Sequence, residues 1–281
     1  MSDPIVEVEG LVKDFGSGRG AVRVLHDVGF TVNRGETLGL VGESGSGKST
    51  TARCILRLIE PSSGSIRFEG EDVLGFRRRK LKAYRARAQM VFQDPYSSLD
   101  PRMCVEEIIG EGIRIHRPAE KRATVRDQIV ELLELVGLRP DHLARRPSAF
   151  SGGERQRIGI ARALAVRPSL LICDEPVASL DVSIQAQILN LFVDLKERLG
   201  LTMVYIAHDL ATVRHLCDRV VVMQGGQIKE IGSREQVYGS PRDPYTVALM
   251  QAVPEPDPAV ARERARERRL AAAAARAGSP S

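Results

Sequence analysis

No tryptophan occurs in the 281 residues, and aromatic side chains make up only 4% of them. A protein that grips single-stranded nucleic acid needs stacking rings along a basic groove, so this scarcity argues against that class. No apolar run approaches the ~18 residues that cross a bilayer as a helix, which excludes a helical membrane protein. The opening MSDPIVEVEG has no basic segment followed by an apolar one, and no signal peptide is expected. Cysteine is sparse. Cys54, Cys104, Cys173 and Cys217 form no C-x-x-C pair, which argues against a zinc-type framework and predicts free thiols in a reducing compartment. Charge is not one-sided either. The net charge of +5 is spread between the body and residues 254–281, where six arginines face four acids. A dedicated DNA binder would carry a larger single-sign field.

A hydrophobic fraction of 43% is enough for a sizeable core, and the length suits one large α/β domain, with or without an inserted lobe. Residues 5–32 alternate apolar and polar around a Gly-rich loop at 16–20 and predict antiparallel strands. The runs 38–41, 170–173 and 203–207 predict buried parallel strands, each leading into a helical pattern. Residues 94–167 predict an inserted helical lobe, and 220–223 with 227–231 a hairpin through Gly225-Gly226. After Val253, prolines alternate with acids before an Ala/Arg/Glu run; residues 254–281 are expected to be a linker and disordered basic tail. No repeat of 20–50 residues is evident.

The chemistry starts at residues 42–50, Gly-Glu-Ser-Gly-Ser-Gly-Lys-Ser-Thr, after the strand 38–41. Gly42, Gly47, Lys48 and Ser49 fill the pattern G-x-x-x-x-G-K-[ST]. Glycines let backbone N–H groups converge on dense negative charge, and a helix over about 48–58 would add the positive end of its dipole. Gly42, Glu43, Ser44, Gly45, Ser46, Gly47, Lys48, Ser49 and Thr50 are therefore the candidate phosphate cradle. Ser49 is a candidate ligand for Mg²⁺. A second acidic pair, Asp174-Glu175, ends the run 170–173. Asp174 suits the Mg²⁺ shell, and Glu175 suits proton acceptance from an attacking water. Ser151 with Glu154 fits a helix capping box. Gly152 and Gly153 would only weaken that helix start unless a phosphate approaches it closely.

At Phe150-Ser151-Gly152-Gly153-Glu154 the chain resembles the nucleotide-binding subunits of ATP-binding cassette (ABC) transporters, whose signature is Leu-Ser-Gly-Gly-Gln. The core Ser-Gly-Gly is intact, while Phe150 and Glu154 depart from the pattern. The resemblance spans about residues 5–253. It implies that Gln93 is the Q-loop glutamine contacting Mg²⁺ or water, and that Asp181 in Ser179-Leu180-Asp181 belongs to the D-loop. His208 would be the switch histidine on the γ-phosphate, and Phe15 the ring stacked on adenine. The implied fold is a P-loop NTPase core, α/β with a mostly parallel sheet, plus an N-terminal antiparallel β subdomain and the helical lobe. The implied cofactors are ATP and Mg²⁺. The implied active form is a head-to-tail dimer in which Ser151, Gly152 and Gly153 of one subunit close over the nucleotide of the other.

Gln93-Asp94-Pro95-Tyr96 and Pro241-Arg242-Asp243-Pro244-Tyr245-Thr246 narrow the resemblance to the oligopeptide, dipeptide and nickel importer ATPases, and to the second ATPase of their pair. The implied partners are two transmembrane permease subunits, a second ATP-binding subunit (identical or paralogous) and, indirectly, an extracytoplasmic substrate-binding protein. The implied place is the cytoplasmic face of the membrane. A soluble ABC ATPase on nucleic acid is the competing reading, invited by seven basic residues within 77–87. Tyr84 is the one aromatic there, and a solvated helix face explains the tract better. No nucleic-acid partner is expected.

Overall fold

The computed structural model describes residues 3–208 and 210–252. Its centre is a six-stranded sheet. β3 (Thr37–Val41), β6 (Ala88–Val91), β7 (Leu170–Asp174), β8 (Thr202–Ala207) and β9 (Arg219–Gln224) run parallel, and β10 (Gln227–Ser233) closes one edge antiparallel to β9. The order across the sheet is β10-β9-β3-β8-β7-β6. A second sheet, order β2-β1-β4-β5, is antiparallel and comprises β1 (Pro4–Phe15), β2 (Val22–Asn33), β4 (Ser63–Phe68) and β5 (Glu71–Asp72).

Alternation along the central strands assigns residues to two layers. Leu38, Leu40, Leu170, Ile172, Val204 and Ile206 join one apolar cluster, with the antiparallel sheet and helix α1 (Lys48–Ile55). Val41, Leu171, Cys173, Met203, Tyr205 and Ala207 join the other. These strands are apolar at consecutive positions because both faces are covered. Each fully buried Leu or Ile contributes about 1.5–3 kcal/mol of transfer free energy. The second cluster also takes in helices α4 (Val105–His116), α5 (Arg122–Leu135) and α6 (Gly152–Leu164), which with the short α3 (Pro95–Ser98) lie between β6 and β7. Helix α7 (Val182–Leu199) follows β7, α8 (Leu210–Leu216) follows β8, and α9 (Arg234–Gly239) and α10 (Pro244–Ala252) follow β10.

One local expectation changes, and two features go beyond the sequence pattern. The helix after residue 47 stops at Ile55 rather than 58: Arg57 takes φ 48°, and the Leu58 and Ile59 amides both turn back to the Arg53 carbonyl. Strands β4, β5 and β6 carry too few alternating residues to stand out in the sequence. The basic tract 77–87 forms helix α2 (Arg78–Arg87), exposed along its charges, but Tyr84 is a core anchor. Its ring meets Phe68 and Phe76 edge-on, and its hydroxyl donates to the Ile55 carbonyl at 2.6 Å. Such a ring offers no stacking platform. Residues 254–281, expected as linker and tail, lie outside the described residues. Among the described residues no helix is long and apolar enough to cross a membrane.

Candidate active site

Strands β3, β6, β7 and β8 deliver their C-terminal ends to one edge of the central sheet, where open α/β sheets bind ligands. The loop 42–47 leaves β3 there and feeds α1. Gly42 has φ 149°, and a Cβ on it would lie 2.0 Å from the Met223 carbonyl oxygen, so the loop can start only with glycine. Inside the loop the Lys48 ammonium is buried and donates to the carbonyls of Gly42 (2.7 Å) and Glu43 (2.8 Å) and to Ser46 Oγ (3.3 Å). Burial pushes its pKa below the ordinary lysine value, partly offset by Glu175, Asp174 and Glu43. This cage is what a lysine adopts around neutral acceptors; a polyphosphate would compete for the same donor.

Asp174 ends β7 and is almost fully buried. Its Oδ1 accepts from Ser49 Oγ at 2.7 Å. A buried carboxylate facing a hydroxyl forms a hard-oxygen pair of the kind that Mg²⁺ takes. The donor set therefore fits that ion. Glu175 follows in the left-handed region, φ 46°, with its amide donating to the Ile206 carbonyl at 3.1 Å. That peptide link to β8 turns the carboxylate toward Gln93 and His208. Gln93 Nε2 donates to Glu175 Oε2 at 3.1 Å, and His208 Nδ1 stands 3.7 Å from the same oxygen. Glu175, Gln185, His208 and Thr212 line a shallow pocket there.

The remaining candidates fall elsewhere. Ser151 caps α6: its hydroxyl and amide both donate to Glu154 Oε2, at 2.8 and 2.9 Å. These bonds hold the Glu154 carboxyl below the usual range. A Cβ on Gly152 would come 3.3 Å from Leu180, and one on Gly153 2.6 Å from Ile184. The signature thus packs on the segment carrying Asp181, the residue that precedes α7. Among the described residues no hydrogen bond joins Ser151, Gly152 or Gly153 to residues 42–50, Gln93, Asp174, Glu175 or His208. Phe15 ends β1 at 42% exposed, with the Lys13 ammonium 5.0 Å from its ring centre.

Two contacts on loop 42–47 have no counterpart in the local sequence pattern. Gly226 donates to the Ser46 carbonyl at 3.1 Å; its φ is 75°, and an added Cβ would lie 2.1 Å from the Val24 carbonyl oxygen. The Gly225-Gly226 turn was legible only as a hairpin. Tyr245 Oη accepts from the Glu43 amide at 3.2 Å, across 202 positions of chain. No local pattern encodes such a pairing.

Residues 25–178 match the family described as ABC transporter. The oligopeptide transport ATP-binding protein OppF of Bacillus subtilis is 49% identical over 265 residues, covering 94% of this chain and 87% of that protein. Among solved structures, a dimeric post-hydrolysis state of the ATP-binding cassette MJ0796 bound to ADP and Pi aligns with TM-score 0.74 and 27% identity, covering 82% of this chain and 98% of that one. cbiO1 from Clostridium perfringens, part of the ABC transporter complex cbiONQ, aligns with TM-score 0.75 and 28% identity, covering 85% and 92%. A glycine-walled loop around a caged lysine lies by two carboxylates at the end of β7, in a chain that matches its relatives across nearly the whole length: the chain belongs to the ABC transporter family.

Proposed function

We propose that the chain is the ATP-hydrolysing subunit of an importer for oligopeptides or dipeptides. The observation that carries the ATPase reading is the meeting of Gln93, Glu175 and His208 beside the Ser49–Asp174 pair, at the mouth of loop 42–50. What supports the cargo is 49% identity to an oligopeptide transport ATP-binding protein.

In this reading the amides of 42–50 and the Lys48 ammonium take the phosphates. Ser49, Asp174 and Gln93 would hold Mg²⁺, which supplies charge neutralisation on the phosphate oxygens. Glu175 accepts the proton of the attacking water, His208 steadies the terminal phosphate, and Phe15 stacks on the base. Ser151, Gly152, Gly153 and Asp181 complete the site of a second ATP-binding subunit, so nucleotide binding favours closure. The cassette is residues 1–253 with its helical lobe at 94–167. It docks peripherally on two transmembrane permease subunits at the cytoplasmic face, served by an extracytoplasmic substrate-binding protein.

Co-purification from membranes, followed by reconstitution of the associated subunits, tests this. Expected is Mg²⁺-dependent ATPase activity that rises with peptide-loaded binding protein. Stimulation by nickel instead of peptide, or by DNA on the isolated chain, would replace the peptide reading.

A further inference from the structure

The segment Pro241–Thr246 has no chemical role in the reading above and lies beyond residues 25–178, yet it reaches the phosphate loop. The Glu43 residue is gripped from both sides. Its carbonyl accepts from Lys48 Nζ at 2.8 Å, and its amide donates to Tyr245 Oη at 3.2 Å. The tyrosine is itself fixed by backbone bonds: Asp243 Oδ1 accepts the Tyr245 amide at 2.8 Å, and Glu230 on β10 accepts from the amides of Arg242 and Asp243 at 3.0–3.1 Å. Burial raises the phenol pKa above its ordinary value.

Lys48 cannot hold the Glu43 carbonyl and a polyphosphate with the same N–H bonds. When it turns to the ligand, that carbonyl loses its donor and the Tyr245 bond remains on the amide side. We propose that Tyr245 is a positioning residue of the nucleotide site: its hydroxyl keeps the start of the phosphate loop in its binding shape once Lys48 is engaged, and so sets affinity for MgATP. This rests on the reading of residues 42–50 as the phosphate loop.

The test compares the full chain with Tyr245→Phe, Tyr238→Phe and Lys48→Ala by calorimetric titration with MgATP. Tyr245→Phe removes one hydroxyl and keeps the ring. The expected result is a Kd about fivefold higher, from one lost hydrogen bond. KM should rise in step, with turnover at saturation within about twofold, and the Glu43 amide should exchange faster with solvent. Tyr238→Phe is the control, since it deletes a hydroxyl of the same C-terminal region that donates to the Leu210 carbonyl; its Kd should not move. Unchanged affinity in Tyr245→Phe, with Lys48→Ala clearly weakened, would overturn the proposal and leave the phosphate loop standing. Equal weakening in Tyr238→Phe would overturn it too, by making the effect one of general stability. Failure of the unaltered chain to bind MgATP would remove both readings together.

Discussion

Lys48 is a buried cation satisfied by two carbonyls and a hydroxyl, none of them charged. A cation in that state gains most when an anion arrives, because a charge-assisted bond is worth more than the neutral bonds it replaces. Lys48→Ala should therefore weaken MgATP binding by roughly 10–100-fold in an equilibrium titration. Wild-type affinity in that variant would refute the cage's role. Glu175→Gln keeps the bond-accepting shape but removes the base. Turnover should fall at least about 100-fold while nucleotide affinity is kept. Near-normal turnover would take the base assignment from Glu175. Both candidates stand out in the sequence, Lys48 through the G-x-x-x-x-G-K-[ST] pattern and Glu175 through its place just after an apolar strand run, where a charge has few structural reasons to be. The contact between Glu175 and Gln93 was not legible, since it depends on β6 lying beside β7, and β6 has only four residues.

Among the elements, the β9–β10 hairpin does more than close the sheet. Its turn donates to the Ser46 carbonyl in loop 42–47 and meets β2, where the His26 amide donates to the Gly226 carbonyl at 2.8 Å. A methyl group at 226 would collide with the Val24 carbonyl and strain a left-handed backbone. Gly226→Ala should lower the melting temperature by about 2–6 °C and weaken MgATP binding as well. Gly225→Ala, with open space around its Cβ, is the comparison; equal binding loss there would show that only turn strain matters. Parallel strands 38–41, 170–173 and 203–207 could be read from sequence because burial on both faces leaves an unbroken apolar run. The antiparallel strands within 5–32 and the hairpin of 220–223 with 227–231 could be read as well, from alternation and the Gly225-Gly226 turn, whereas the short strands β4, β5 and β6 could not. Their registers are set by tertiary partners, as β4 is by β1.

For the molecule as a whole, the two apolar clusters share one sheet, so neither layer can melt without exposing the other's strands. A single unfolding transition is expected in calorimetry, with Cys54, Cys173 and Cys217 protected from an alkylating reagent until that transition. Burial pushes the Cys54 thiol up to about 11, and those of Cys173 and Cys217 upward as well, which adds to their inertness. Rapid native labelling of any of the three would mean that the layers open separately. Assembly gives another whole-molecule test. Glu175→Gln with MgATP should sediment as a dimer, and adding Ser151→Arg should return it to monomer without loss of nucleotide; a persistent dimer would refute the shared site. The left-handed Glu175 backbone has a consequence for any search for sturdier variants. A glycine at that position would relax the φ of 46° and recover on the order of 1 kcal/mol, while removing the carboxylate that meets Gln93 and His208. With Glu175 as the proposed base, a screen rewarding heat resistance alone would drift toward catalytically silent chains. Keeping glutamate there requires that each generation be chosen for its work.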